Sequence, residues 1–259
     1  MLLCPPTYFR VAYSINPWMQ GALVNVSKAY RQWDNLKLLL SELGVQTQEM
    51  PAHPEWPDLV FTANAGIVHD GKVVLSNFAH PERWGEKWLY NEWFITHGYE
   101  VYELPPHSVF EGRGDCFVIG DRLIGGYGFR TEKSSLKLAA TILDLKLKTL
   151  KLKDPRFYHL DTCLAPIDDK VGIYYPGAFT LFSSPARATG LDLIPVDEDE
   201  ATNFACNCIA IDGNVIMQEG NPKITSELRS RGYNVIEIDL SEFMKSGGNC
   251  RCLVLELSS

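Results

Sequence analysis

A chain of 259 residues, 46% hydrophobic and 22% charged, carries enough apolar side chain to bury a full core, in one large domain or two small ones. Its formal net charge of −8 speaks against a nucleic-acid partner, which would need a basic face. No stretch reaches the roughly 20 consecutive apolar residues of a membrane span, so no membrane partner is expected either.

Taken in chain order, the opening MLLCPPTYFR lacks the basic start and long apolar run of an export signal. Seven cysteines is an odd count for a disulfide framework, so they are read as reduced and the setting as cytoplasmic. Residues 8–15 read as a strand and 26–43 as a helix. A hairpin follows at Asn64 with AGIVHDGKVVLSN, then a helix over 82–97 with Trp84, Trp88, Trp93 and Phe94 near helical spacing, then a strand from Tyr99. A second hairpin opens at Asp115 (CFVIGDRLIGGYG) and leads into an amphipathic helix over 132–146. A third opens at Asp161 (TCLAPIDDKVGIYY) and a fourth at Asn207 (CIAIDGNVIMQEG). The helix over 222–231 has Pro222 at its start and Gly232 just past its end, and a strand follows from Tyr233. Residues 252–257 (CLVLEL) read as the last strand.

Each hairpin pairs a polar residue and an apolar run with a tight turn of Asp, Gly or Asn, and the pattern returns at intervals of roughly 45 to 50 residues. The unit is strand–strand–helix–strand. A fifth copy is shared between the ends, the C-terminal strand pairing with the N-terminal unit and so removing open sheet edges. The expected fold is therefore α/β, a single domain over 1–259. An open sheet with ordinary hairpins is the competing architecture. Pseudo-symmetry would bring Asn64, Asp115, Asp161 and Asn207 to equivalent places around one axis, where polar residues opening apolar strands point to a polar central channel.

Four stretches carry the chemistry: DLVFTANAG from Asp58, FEGRGDC from Phe110, YHLDTCLAP from Tyr158 and SGGNCRC from Ser246. Together they supply a cysteine, one histidine, carboxylates and glycine-rich turns, the set for covalent catalysis on a planar cation. Individually each has a structural explanation: a turn at Glu111–Asp115, a core histidine at His159, a buried cysteine at Cys252. Cys206-x-Cys208 and Cys250-x-Cys252 are spaced too tightly for an ordinary structural zinc site.

These motifs, with YFRVAYSINPWM from Tyr8, resemble the amidinotransferase, or guanidine-modifying, superfamily over nearly the whole chain. The resemblance implies the pentein fold, a five-bladed α/β propeller of ββαβ units. It implies Cys252 as the nucleophile on the guanidinium carbon, His159 as general acid and base, and Glu111 and Asp161 as carboxylates gripping the guanidinium. Asn64 stands where arginine deiminases and dimethylarginine hydrolases usually place an aspartate. With Asn16 it resembles the pattern of arginine dihydrolases, which make ornithine, two ammonia and carbon dioxide. Asp115 joins the substrate-binding set, and Arg83 and Arg130 are candidates for the substrate carboxylate.

The expected partner is thus a small molecule, arginine or a methylated arginine. No cofactor and no metal are expected, and a homo-oligomer is left open. A dimethylargininase or a citrulline-forming deiminase is the nearest alternative. An amidinotransferase and a non-catalytic binding protein of the same fold stand further off.

Overall fold

The computed structural model describes residues 1–257. In chain order it contains β1 (Leu2–Leu3), α1 (Val26–Glu42), β2 (Gln48–Glu49), β3 (Gly66–His69), β4 (Lys72–Leu75), α2 (Glu86–Thr96) and β5 (Glu100–Tyr102). Next come β6 (Cys116–Ile119), β7 (Arg122–Tyr127), α3 (Lys133–Ile142), β8 (Lys146–Lys151), β9 (Leu164–Pro166), β10 (Val171–Tyr174), α4 (Pro185–Thr189) and β11 (Asp192–Pro195). The chain continues through α5 (Glu198–Thr202), β12 (Ile209–Ile211), β13 (Asn214–Gln218), α6 (Pro222–Ser230), β14 (Asn234–Ile238) and α7 (Ser241–Met244).

Among the described residues fourteen strands form a mixed α/β fold with one recurring pattern. β3-β4-β5, β6-β7-β8, β9-β10-β11 and β12-β13-β14 are each an antiparallel hairpin whose second strand pairs in parallel with a third beyond a helix. Local chemistry sets the hairpins. Asp70–Gly71 and Asp212–Gly213 all have positive φ, the backbone of the two-residue turn that matches strand twist. The two ends also meet: Leu2 pairs antiparallel with Leu255 through two backbone hydrogen bonds of 2.8 and 3.0 Å, and β1 pairs in parallel with β2 across α1.

Two strand expectations are corrected here. Residues 8–15 form turns and bends, not a strand, because side chains take up the backbone and anchor the segment. Arg130 donates to the Ile15 carbonyl at 2.8 Å, Arg10 to the Tyr8 carbonyl, and Tyr13 reaches Asp58. At the other end, Arg251–Leu253 is a 3-10 turn, and only Leu255 makes the bridge expected of 252–257. Helix α2 buries Tyr90, Trp93 and Phe94 but leaves Trp88 exposed, and Trp84 lies before the helix and is exposed too, so the aromatic spacing overstates its inward face.

Just before each hairpin lies a short turn, and neighbouring turns are stitched together. Asn64 Nδ2 donates to the Glu111 carbonyl, the Leu160 N–H to Asp115, Asn207 Nδ2 to the Asp161 carbonyl, and the Arg251 N–H to Asn207 Oδ1. Thr62 then donates to the Leu253 carbonyl at 3.0 Å, returning to the turn of Asn64. No helix among the described residues is long and apolar enough to cross a membrane.

Candidate active site

Cys252 sits in the 3-10 turn Arg251–Leu253, 5% exposed. Its Sγ lies 3.2 Å from Asn207 Nδ2 and 3.6 Å from Asp161 Oδ2. Burial pushes this thiol up, and the Asp161 carboxylate pushes the same way; the Asn249 backbone and the Asn207 amide pull it down. The glycines before it are steric necessities. Gly247 has a φ of +81°, and a Cβ there would meet Tyr158 Oη at 2.8 Å and Asn16 Oδ1 at 3.0 Å.

His159 is buried, its Nε2 2.8 Å from Glu111 Oε2. Glu111 is fully buried and also accepts from Arg130 at 3.1 Å and from the Ala79 N–H at 3.0 Å. Burial alone would raise its carboxyl; Arg130, His159 and Arg83 outweigh that and hold it below the usual carboxylate range. Asp115 lies beneath, accepting from Thr131 at 2.6 Å and from the Leu160 N–H at 3.1 Å. Burial raises its carboxyl to about 7, against the opposing pull of His159 and Thr131. Gly114 explains its motif: a Cβ there would fall 2.3 Å from Asn64 Nδ2 and 3.3 Å from His159 Nδ1.

A narrow cavity opens onto these groups. Its walls include Asn16, Asn64, Arg83, Arg130, His159 and Cys252. Asp161 touches the sulfur, and Glu111 reaches the cavity through His159 and Arg130. Asp115 is not on the wall and acts through the turn it organises. Both arginines arrive already paired. Arg83 makes a two-point ion pair with Glu86 (2.8 and 2.7 Å) and donates its Nη1 to Asn64 Oδ1 at 2.9 Å. Arg130 binds Glu111 and the Ile15 carbonyl. Asn16 Oδ1 accepts the Trp18 N–H and its Nδ2 donates to the Ser246 carbonyl, tying the SINPWM segment to the glycine turn.

Three residues on or beside the cavity were not assigned chemistry from sequence: Asp58, Ser246 and Asn207. Asp58 Oδ2 accepts from Tyr13 at 2.9 Å, while its Oδ1 has no hydrogen-bond partner, and neither does Asp161 Oδ1. Burial raises both carboxyls, Arg83 opposing it at Asp58 and His159 at Asp161. One of these carboxylates shares the cavity wall with Cys252 and the other touches its sulfur, and their unpartnered oxygens call for hydrogen-bond donors from a ligand. Asp58 opens one of the four motifs, and its place six residues before Asn64 was the available signal. Among the described residues no group of three or more His, Cys, Asp or Glu side chains is arranged to hold a metal ion.

The chain is similar in sequence and fold to known guanidine-modifying proteins. The family model for eukaryotic N,N dimethylarginine dimethylhydrolase matches residues 14–259. The bifunctional arginine dihydrolase/ornithine cyclodeaminase AgrE of Nostoc is 43% identical, the match covering 99% of this chain and 37% of that protein. The chain thus spans little more than a third of such bifunctional relatives. The N(G),N(G)-dimethylarginine dimethylaminohydrolase of Mycobacterium tuberculosis is 38% identical over 98% of this chain and 84% of its own length. Among solved structures, the substrate-bound N-terminal domain of ArgZ, a cyanobacterial arginine dihydrolase carrying a cysteine-to-serine change, superposes with a TM-score of 0.96 at 39% identity, covering 99% of this chain and 97% of that one. The chain belongs to the dimethylarginine dimethylaminohydrolase family of guanidine-modifying proteins.

Proposed function

We propose that this chain is a cysteine-dependent hydrolase of L-arginine that runs two hydrolytic rounds at one site, giving ornithine, two ammonia and carbon dioxide. The observation that carries the guanidine reading is that two buried carboxylates each keep an unpartnered oxygen: Asp58, on the cavity wall with Cys252 and His159, and Asp161, which touches the Cys252 sulfur. A guanidinium supplies in-plane N–H donors for such acceptors and an electrophilic carbon for the sulfur.

In the first round the Cys252 thiolate bonds to the guanidinium carbon. One C–N bond breaks, and His159 delivers the proton with which ammonia leaves. His159 then takes a proton from water, which attacks the thiouronium carbon and expels the thiolate, leaving a ureido group. In the second round the thiolate bonds to the ureido carbon, the C–Nδ bond breaks and ornithine leaves with a proton from His159; water then hydrolyses the S-carbamoyl group, freeing the thiolate, and the carbamate decomposes to ammonia and carbon dioxide. Two water molecules are consumed in all. Glu111 and Arg130 orient His159, and Arg83 orients Asn64.

Asn64 favours two rounds over one. Arg83 is neutralised by Glu86, and its third contact goes to a neutral amide. That wall therefore carries no net charge and does not penalise a neutral ureido group, whereas an aspartate there would favour the cation alone. We also infer that the five ββαβ units close as a five-bladed propeller forming one domain over 1–259; the chain of turn-to-turn hydrogen bonds that returns from Leu253 to Thr62 supports it.

The test is product analysis with arginine and, separately, dimethylarginine. Two ammonia per ornithine is expected. Citrulline with one ammonia, or citrulline with dimethylamine, would assign a single-round enzyme instead. Asn64→Asp is expected to shift product toward citrulline; an unchanged ornithine ratio would remove the amide from the account.

A further inference from the structure

Asn207 is fully buried, in the turn that leads into β12. Its Oδ1 accepts two backbone N–H groups from the nucleophile's own turn, Arg251 at 3.0 Å and Cys252 at 3.3 Å. Its Nδ2 donates to the Asp161 carbonyl at 3.0 Å and to Cys252 Sγ at 3.2 Å. These neighbours fix which way the amide faces. Turned over, it would set an NH2 against two N–H donors and an oxygen against a carbonyl oxygen.

Among the described residues the side-chain hydrogen bonds at the sulfur are those of Asn207 and Asp161, while His159 Nε2 is engaged with Glu111. The other side chain on the sulfur is the Asp161 carboxylate, which disfavours negative charge there. The Asn207 N–H works in the opposite direction, because a hydrogen bond to the charged form favours that form.

Resting on the reading of Cys252 as nucleophile, we propose that Asn207 is a positioning residue that locks the Cys252 turn and donates the hydrogen bond stabilising the Sγ thiolate before substrate arrives. The two ends of one amide divide the work. The oxygen holds the backbone that presents the sulfur, and the nitrogen prepares the sulfur itself. His159 is left free to hand its proton to the leaving amine.

The test is the pH dependence of Cys252 alkylation by iodoacetamide in substrate-free protein, read by peptide mapping to separate it from the other six cysteines. Asn207→Asp keeps an acceptor for the two backbone N–H groups and removes the donor to sulfur. Its alkylation profile is expected to move to higher pH, with Cys252 labelling near neutrality falling about tenfold. With arginine, kcat should fall while KM stays close to wild type. Asn207→Ser, which cannot reach the sulfur, covers the case in which the aspartate variant does not fold, and should shift the profile the same way. A profile superimposable on wild type in either folded variant overturns the proposal. Because alkylation needs no substrate, this result is separable from the arginine product test: a shifted profile with no arginine turnover would refute the dihydrolase reading and leave Asn207 in its role.

Discussion

Along the part of the cavity wall made by Asn64, Arg83 and Arg130, with Glu86 and Glu111 behind it, each charge meets an opposite charge. Arg83 faces Glu86, and Arg130 faces Glu111, which also faces His159. Around Asp58, Asp161 and Cys252 the matter is different: two carboxylate oxygens have no partner and the thiol sits beside one of the carboxylates. The paired wall is a template. Its buried ion pairs and hydrogen bonds fix the rotamers of Asn64 and His159, so those groups need little rearrangement when substrate binds. The unpaired side offers acceptors to N–H donors, which the guanidinium and the ureido group proposed above both carry.

Breaking the template should cost stability most. Arg83→Met leaves fully buried Glu86 with no counter-charge, and loss of one partner of a buried pair typically costs about 3–5 kcal/mol. Urea unfolding should read a loss of that order; less than about 1 kcal/mol would mean that the pair is not the brace described. On the open side, Asp161→Asn should do the reverse. Thermal stability holds or rises slightly because a poorly compensated buried charge is gone, while kcat/KM for arginine falls on the order of a hundredfold. A large stability loss with intact turnover would contradict the division of labour.

Asp115 gives the most specific effect, because it appears only across a window of pH. Its carboxyl is raised from 3.8 to about 7 in the folded chain. The folded state therefore holds this proton to higher pH than the unfolded state does. Its contribution is full below about pH 4, declines as pH climbs to about 7, and is level above that. Asp115→Asn, which stays neutral, should gain on wild type across that window by about 4 kcal/mol, apart from a constant offset. Denaturation curves at several pH values check this, and parallel stability profiles for the two proteins would rule it out.

The repeat was legible because its signals are local. Asp-Gly turns between apolar runs specify hairpins within a dozen residues, and Pro222 and Gly232 bracket a helix by the conformational preferences of helix ends. What failed was non-local. Residues 8–15 alternate apolar and polar like a strand, but Arg130 and Asp58, far along the chain, take hold of that segment instead. The two-residue strand β1 is too short to carry a period at all. The site divides in the same way. Cys252, His159, Glu111 and Asp161 stood within motifs that carry the family resemblance. Asn207 was visible only as one polar residue opening a strand. Its meaning depends on Cys252, 45 residues later, being folded back onto it.

The most direct test of Cys252 as the nucleophile is to catch the covalent step. Acid-quenched turnover of arginine, followed by peptide mapping, should find the substrate-derived adduct on Cys252, and none in Cys252→Ser. An adduct on Cys250, or full activity in Cys252→Ser, would contradict it.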